Sequence, residues 1–388
     1  MAASPAKHAS FWVASTGETA FPPLAGRERV DVAIVGGGTA GITAALPLKE
    51  AGRTVALVDS KRILRGATGY TTAKLTSGHG LLYAHLIKRF GERRARLYAE
   101  ANQAAIEHVA TVVERHGIDC DFRQRDNYVY ADERDERSSI EQEVEAEAKL
   151  GLPASLVAEP PLPFATRGAV RLERQAEFHP RKYLLFLAER LAGDGSHVFE
   201  GTRAGQVDEG RGGCRVETDR GTIEAGRVLV ATQIPFLDRG LFFTTVHPYR
   251  AYVLAAPIEE ANAPEGMFVS SKSPTRSIRT TPRDGGLLLL LLGGEGHKTG
   301  TDTQNEQRFA TLQEFLQRHF DTGSVEYRWA TQDYYSVDRV PYIGPLTRRS
   351  KRIHVATGFG GWGMTNGTVA GMMLADAALG NDSPWAEL

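Results

Sequence analysis

The chain of 388 residues is longer than one hydrophobic core usually supports, so we expect two domains. Its 41% hydrophobic and 24% charged residues are typical of a globular protein, and a formal net charge of −1 gives no indication of binding to nucleic acid or to a membrane. Cys120 and Cys214 are too few for a disulfide framework, a four-cysteine zinc site or an iron–sulfur cluster within this chain. We therefore expect free thiols, no metal site and a reducing, cytoplasmic location.

The first elements predict an arm followed by a nucleotide-binding unit. Residues 1–28 are rich in Pro and Ala, show no periodicity and lack the apolar region of a signal peptide. Residues 29–52 predict a strand, a glycine turn and a helix, and residues 54–60 predict a second buried strand, which together make a βαβ unit. Pro47 lies about two turns into the predicted helix and indicates either a kink or an earlier helix end.

The glycine turn fits the G-x-G-x-x-G fingerprint in the required context, after a buried strand and at the start of a helix. Gly36 permits a tight turn, Gly38 lets the backbone approach a pyrophosphate, and Gly41 permits close packing of helix on strand. Asp59 ends the second strand, where an acid that binds ribose hydroxyls is expected. The fingerprint alone does not separate NAD from FAD. The predicted nucleotide-contacting residues are Gly36, Gly38, Thr39, Ala40, Gly41, Asp59 and Ser60.

Several later segments predict regular elements. A long amphipathic helix is predicted from Glu92 to His116. Ser138, three residues before Glu141, resembles a capping box that would start a helix ending before Gly151. Further elements follow in chain order: a helix closed by Gly193, a hairpin around Asp219–Gly221, a buried strand at Leu287–Leu292, a helix near residues 305–320, and a final strand, glycine turn and helix over residues 352–380.

Two motifs carry a family resemblance. The segments "GATGYTTAKLTSGHG" and "ATGFGGWGMTNGTVAG", with "PYIGP" before the last strand, together resemble the D-amino-acid-oxidase-like FAD-dependent oxidoreductases, which include glycine and sarcosine oxidases and γ-glutamylputrescine oxidase. "GYTTAKLTSGHGLLYAHL" and "GGEGHKTG" resemble a bacterial subgroup that often carries a C-terminal Rieske domain. The resemblance runs from about Phe11 to Leu388. The sequence ends about where the Rieske domain would begin, so we expect that domain to have been lost, removed or supplied by a separate protein.

The resemblance implies an α/β fold with a discontinuous, Rossmann-like FAD-binding domain and an inserted, strand-rich α+β substrate domain. We predict the FAD-binding domain at residues 29–115, 178–238 and 340–388, and the substrate domain at 116–177 and 239–339. Residues 1–28 form the N-terminal arm in this division.

Further cofactor contacts follow from the resemblance. The hydroxyl-rich loop would bind pyrophosphate or flavin edges, with Lys74 offsetting phosphate charge. The C-terminal glycine turn would lie against the flavin's pyrimidine side, with the next helix aiming its positive end at N1 and O2. The FAD is expected to be non-covalent. These contacts are Ala67, Thr68, Thr71, Thr72, Ala73, Lys74, Ala204, Ala231, Thr232, Gly358, Gly360, Gly361, Trp362, Gly363 and Met364.

The implied reaction is hydride transfer from a carbon bearing an amine nitrogen to flavin N5, followed by hydrolysis of the imine. Glycine-oxidase-like relatives place a carboxylate-binding arginine four residues after the tryptophan, and here that residue is Asp333. A second family arginine falls on Gly361. Loss of both anchors favours a small cationic amine, bound by Asp333 and the aromatic faces of Tyr334 and Tyr335. The alternative is that Asp333 points to solvent and Asp338 caps a turn.

Other ionisable residues leave alternatives open. Arg279 could replace the missing carboxylate anchor, which would make the protein an amino-acid oxidase, or it could be an exposed strand residue. His79 could transfer protons or be structural. Lys272 and Lys298 could activate oxygen or lie in solvent. Oxygen or an electron-transfer partner would reoxidise the flavin, and a flavin-binding subunit without turnover is the remaining hypothesis.

Overall fold

A computed structural model describes residues 6–283, 285–301 and 303–387. Helices and strands are numbered in chain order. The helices are α1 Phe11–Ala14, α2 Thr39–Glu50, α3 Tyr83–Phe90, α4 Glu92–His116, α5 Arg137–Lys149, α6 Pro180–Glu189, α7 Asn305–His319 and α8 Thr365–Leu379.

The first sheet is a largely parallel nucleotide-binding sheet with the strand order β16-β17-β10-β1-β2-β7. Strand β10 also pairs with β9, which pairs with β8. Both faces are covered by apolar side chains, one of them by α2, α6 and α8. Its strands are β1 Gly26–Val35, β2 Val55–Val58, β7 His197–Phe199, β8 Ala204–Glu209, β9 Cys214–Thr218, β10 Gly221–Val230, β16 Tyr342–Pro345 and β17 Ile353–Thr357.

The second sheet is mostly antiparallel and has the order β15-β11-β14-β13-β12-β4-β6-β3, with β5 paired to β6. Helix α7 packs on one face through Phe309, Leu312 and Leu316. Its strands are β3 Lys74–Leu75, β4 Arg123–Tyr130, β5 Ala154–Val157, β6 Ala169–Glu177, β11 Val246–Ile258, β12 Met267–Ser270, β13 Arg276–Pro282, β14 Leu288–Lys298 and β15 Tyr327–Ser336.

The predicted fold class is confirmed, and so are the long helix α4, the hairpin of β9 and β10, and the buried strand β14, in which Leu289 to Leu292 are fully buried. The division of the chain into domains stays a prediction. Within the described residues, no helix combines the length and the apolar character needed to cross a membrane.

Two local predictions were wrong, and one of the two alternatives given for Pro47 is excluded. Helix α5 begins at Arg137, so Ser138 does not cap it; the Glu136 carboxylate instead accepts backbone N–H groups from the preceding turn, those of Asp132 and Glu133. Helix α6 ends at Glu189, before Gly193, which bonds to Ser196 in a tight turn. Helix α2 continues through Pro47 to Glu50, so the helix does not end early.

The N-terminal arm is also more ordered than the sequence predicts. It forms α1, whose Trp12 is fully buried, and β1 begins already at Gly26. The guanidinium of Arg181 donates to Thr16 Oγ1 and to the carbonyl of Gly17, which fixes the arm on α6.

Candidate active site

A cavity of about 630 Å³ lies between the two sheets. One wall comes from the carboxyl ends of β1, β2, β10 and β17, where ligands bind in open α/β sheets. The opposite wall comes from β11, β13, β14 and β15 of the second sheet. The volume is within the range of small-molecule and cofactor sites.

The fingerprint turn has the backbone that its glycines predict. Gly36 has φ +113°, and a Cβ there would lie 2.6 Å from the carbonyl oxygen of Ala231. A Cβ at Gly41 would collide with the carbonyl of Gly36, so Gly41 holds α2 against the turn and does not itself line the cavity. Gly38 precedes α2 and lines the cavity with Thr39 and Ala40, so the N-terminus of α2 faces it.

Asp59 lies at the cavity wall at the end of β2. Its Oδ2 accepts the N–H of Gly37 at 2.9 Å, and its Oδ1 accepts the N–H of Lys61 at 2.9 Å. Burial raises the pKa of Asp59 above its ordinary value, although these two hydrogen bonds lower it. Each oxygen retains a lone pair, so the carboxylate can accept ribose hydroxyls. Ser60 lines the cavity beside it.

The hydroxyl-rich loop adjoins the N-terminus of α2. Thr68 Oγ1 accepts the N–H of Thr39 at 3.1 Å and lies 3.1 Å from its hydroxyl. Ala67, Thr68, Thr71 and Thr72 line the cavity, whereas Ala73 is buried behind it.

Lys74 lines the cavity where the loop joins the second sheet. Its Nζ donates to Ser277 Oγ, and no carboxylate of the described residues lies within ion-pair distance. Burial, followed by the nearby charge of Arg279, lowers the pKa of Lys74 to about 7, while Glu177 opposes the shift. The amine thus lies among polar groups of the second sheet.

The C-terminal glycine turn forms another part of the wall. Gly358, Gly360 and Gly361 have φ of +78°, +62° and +83°, so the turn between β17 and α8 uses left-handed backbone three times. The turn lines the cavity from Gly358 through Met364.

His79 lines the cavity but is not free to carry protons. Its Nε2 lies 2.7 Å from the carbonyl of Thr76, which can only accept, so Nε2 bears the proton and Nδ1 accepts from the hydroxyl of Tyr98 at 2.7 Å. The ring stacks on Trp362 with centroids 4.7 Å apart. Burial lowers the pKa of His79 to about 3. The structural interpretation of His79 is therefore the supported one.

Strand β15 directs alternate side chains into the cavity. Thr331, Asp333 and Tyr335 line it, whereas Tyr334 points to the other face, so its prediction as a substrate contact was wrong. Asp333 accepts the N–H of Tyr334 at 2.8 Å and that of Gly361 at 2.6 Å, which ties β15 to the C-terminal turn. Burial raises the pKa of Asp333 above its ordinary value, against the effect of these bonds.

Arg279 does not line the cavity, so its interpretation as a substrate anchor was wrong. Its side chain is only 1% exposed. The guanidinium pairs with Glu177 at 3.3 Å, its Nε donates to the carbonyl of Thr280, and its Nη1 donates to loop carbonyls.

Five other predicted residues differ in where they lie relative to the cavity. Ala231 and Thr232 line the cavity at the end of β10. Ala204 begins β8 beyond the cavity wall, opposite Thr218. Lys272 forms surface ion pairs with Glu133 and Asp135, and Lys298 is exposed at the end of β14; neither lines the cavity.

Sequence reasoning missed several lining residues of the second sheet and of the cavity mouth. Tyr249 of β11 lies with its ring centroid 4.9 Å from that of Tyr335. Arg339, an exposed residue with φ +63°, lines the cavity just after β15. The period of two along β11 and β15 could have indicated Tyr249, but no local motif marks Arg339. The missed polar and glycine positions include Gly37, Lys61, Arg62, Arg65, Gln233, Ser277 and Gly293.

These residues fit FAD. The N-terminus of α2 suits a pyrophosphate, Asp59 suits a ribose, and the glycine turn before α8 gives a side-chain-free surface for a planar ring. Asp333 and Tyr335 of the opposite wall adjoin this turn, since Asp333 accepts the N–H of Gly361 and the Tyr335 ring lies against the turn.

Comparison with known proteins agrees with this geometry. Residues 31–377 match the family described as "FAD dependent oxidoreductase" (DAO), and the chain belongs to this family, as the motifs predicted. It is 35% identical over 380 residues, 98% of this chain and 74% of the relative, to the "Putative Rieske 2Fe-2S iron-sulfur protein YhfW" of Bacillus subtilis. It is 23% identical to the "Gamma-glutamylputrescine oxidoreductase" of Escherichia coli, covering 96% of this chain and 89% of the relative. Its fold is similar to that of glycine oxidase from Geobacillus kaustophilus, with TM-score 0.77, 18% identity and coverage of 92% of this chain and 96% of the other.

Proposed function

We propose that this protein uses non-covalent FAD to oxidise a C–N bond of a small amine. When bound, FAD supplies a hydride acceptor at N5, and the oxidised substrate is then hydrolysed as an imine. Non-covalent binding is supported by two observations: Cys120 and Cys214 lie outside the cavity wall, and both ring nitrogens of His79 are occupied by hydrogen bonds.

The placement of Asp333 carries the proposed substrate class. Its carboxylate lies on the cavity wall beside the rings of Tyr335 and Tyr249. Each oxygen accepts one backbone N–H, so lone pairs remain for an ammonium group. A carboxylate with neighbouring aromatic faces suits a cation.

Arg339 favours a second candidate, an amino-acid substrate. Its side chain lines the cavity just beyond β15, so its guanidinium could bind a carboxylate in the role that Arg279 cannot fill. An amine substrate would depend on the Asp333 carboxylate, whereas an amino-acid substrate would depend on the Arg339 guanidinium.

The electrons leave to oxygen or to an electron-transfer partner. Similarity to the relative named as a putative Rieske protein supports a partner of that kind. Rapid reoxidation of reduced enzyme by air would favour oxygen, and slow reoxidation with fast reduction of an added Rieske protein would favour the partner.

Anaerobic bleaching of the flavin band near ~450 nm tests the substrate class. We expect a panel of small amines to bleach the enzyme, and Asp333→Asn to raise the amine concentration for half-maximal bleaching at least tenfold, about 1.4 kcal/mol of lost ammonium binding. Asp338→Asn is the matched control, because Asp338 accepts the hydroxyl of Tyr342 outside the cavity.

Bleaching by α-amino acids alone, sensitive to Arg339→Met and not to Asp333→Asn, would replace the amine by the amino-acid candidate. No bleaching by either panel, with FAD tightly bound, would favour a flavin-binding subunit without turnover. A purified protein without flavin that binds no added FAD would contradict the cofactor itself.

A further inference from the structure

Five consecutive carbonyls of the hydroxyl-rich loop, from Gly69 to Ala73, are each held by a side-chain donor. Ser10 Oγ donates to Gly69 O at 2.5 Å, Trp329 Nε1 to Tyr70 O at 2.9 Å and Trp12 Nε1 to Thr71 O at 2.7 Å. Arg279 Nη1 donates to Thr72 O at 3.3 Å and also to Ala73 O. We call Ser10, Trp12, Arg279 and Trp329 the carbonyl clamp.

The clamp residues come from three separate parts of the chain. Ser10 and Trp12 belong to the N-terminal arm, Arg279 to β13 and Trp329 to β15. All four side chains are buried. The two tryptophans pack in one apolar cluster with Ala73, and the Arg279 guanidinium carbon lies 5.5 Å from the centre of the Trp12 ring. The clamp is therefore one connected structure.

The clamp fixes which side of the loop meets the cavity. Carbonyl and N–H of a trans peptide point in opposite directions, so peptides whose carbonyls face the clamp turn their N–H groups away from it. Thr71 and Thr72 line the cavity, and the N–H of Ala73 donates to Thr71 Oγ1 at 2.9 Å, which orders that hydroxyl. Ala73 has φ +58°, which costs about 1 kcal/mol for a residue with a side chain and persists only where its surroundings hold it.

We propose that the carbonyl clamp positions this loop for the anionic cofactor, and that the N-terminal arm is thereby part of the FAD site. The inference rests on the proposed use of FAD. Carbonyl oxygens facing the cavity would repel a pyrophosphate or an electron-rich flavin edge, whereas hydroxyl and N–H donors attract them. Arg279, whose Nη1 donates to the carbonyls of Thr72 and Ala73 and whose charge pairs with Glu177, is a positioning residue in this arrangement.

The affinity of the apoprotein for FAD tests the clamp, measured by quenching of FAD fluorescence. Ser10→Ala removes the donor to Gly69 O, together with the 3.4 Å acceptor of the Val13 N–H at the start of α1, with little change in volume, and Trp12→Phe removes the indole N–H. We expect each to raise the Kd for FAD about tenfold, since a buried carbonyl loses its donor in the loop that contacts the cofactor. Ser10→Thr keeps the hydroxyl and should restore the Kd to within about threefold of wild type.

Ser196→Ala is the matched control. Ser196 is also a buried serine whose Oγ bonds to the backbone, accepting the N–H of Val55 at 3.0 Å, but it lies outside the cavity wall. Urea unfolding of the apoproteins should give similar midpoints for Ser10→Ala and Ser196→Ala, with a raised Kd for FAD only in the former.

Two results would overturn the clamp: a Kd for FAD unchanged in folded Ser10→Ala, or one raised equally in Ser196→Ala. Wild-type apoprotein that binds no FAD would overturn the proposed function instead, and the clamp with it. If Trp12→Phe does not fold, the comparison of Ser10→Ala, Ser10→Thr and Ser196→Ala is sufficient to test the clamp.

Discussion

At His79 the hydrogen-bond partners decide the chemistry of the side chain. The carbonyl of Thr76 fixes the proton on Nε2, and the hydroxyl of Tyr98 occupies Nδ1, so the ring serves as a neutral support for Trp362. Arg279 is a parallel case, because its Nε and Nη1 donate to backbone carbonyls and its charge pairs with Glu177. Residue type and chain position suggested chemistry for both, but no local motif reveals that Tyr98 occupies His79 or that Glu177 pairs with Arg279.

We expect the His79 ring to stay neutral from pH 5 to 8, since its pKa is lowered to about 3. Nitrogen NMR should give one set of ring shifts over this range, with the proton on Nε2, whereas free histidine in the same buffer titrates near ~6.5. The lowered pKa also means that the contribution of His79 to stability grows as pH rises from about 3 to about 6.5, because the unfolded state binds the extra proton in that window. Titration of the His79 signals near pH 6.5 would contradict this assignment.

At the scale of elements, the C-terminal glycine turn and β15 form one unit. Asp333 accepts the N–H of Gly361, and Tyr335 lies directly against the turn. A Cβ at Gly361 would lie 2.8 Å from the Tyr335 hydroxyl and force that ring to shift, whereas a Cβ at Gly360 would make ordinary contacts with the same ring at 3.7 Å.

The two glycines give a matched pair of substitutions. Either alanine substitution destabilises the folded protein by about 1 kcal/mol, because a residue with a Cβ disfavours positive φ. Only Gly361→Ala also brings a Cβ too close to Tyr335. We expect Gly361→Ala to raise the Kd for FAD at least tenfold and Gly360→Ala less than fivefold, with Tyr335→Phe partly rescuing Gly361→Ala. Equal effects of the two alanines, or no rescue, would show that the Tyr335 contact is unimportant.

Sequence patterns predicted the elements better than the contacts between them. The strand–turn–helix units at residues 29–52 and 352–380 and helix α4 are encoded by local periodicity and glycine positions, so they were predictable. The opposite orientations of Tyr334 and Tyr335 follow from the period of two in a strand, once β15 is known to be a strand. The arm could not be predicted, because Trp12 is ordered by Thr71, a residue of a distant loop.

For the molecule as a whole, Lys74 places a buried amine where the two sheets meet. Its cross-strand neighbour Glu177 is already shared by Arg123, Arg125 and Arg279. The protonated amine is therefore destabilising in the folded apoprotein, and binding of an anionic cofactor would relieve this cost.

We expect the stability of the apoprotein to rise with pH above about 7. The pKa of Lys74 is lowered from 10.5 to about 7, so between these values the unfolded state binds one more proton than the folded state. The contribution is at most about 1.4 kcal/mol per pH unit. We would measure the free energy of unfolding in urea at pH 7, 8 and 9. This free energy should rise less steeply with pH for Lys74→Met than for wild type, while Lys298→Met, a change at an exposed site, should match wild type. The same pH dependence of the unfolding free energy in all three proteins would contradict a lowered pKa of Lys74.

The packing of α8 on α2 sets an order of events during translation. A Cβ at Gly371 would lie 2.5 Å from Thr43 Cβ, so helices from opposite ends of the sequence meet in close contact, and β17 adds to the parallel sheet beside β10. The ribosome therefore releases β1 and α2 long before the elements that cover them exist. Until α8 has left the exit tunnel, the nascent chain exposes an apolar helix face, an open sheet edge and a cavity that lacks one wall. We expect flavin loading to be a post-translational step, in a cell that must first shield the growing polypeptide from aggregation.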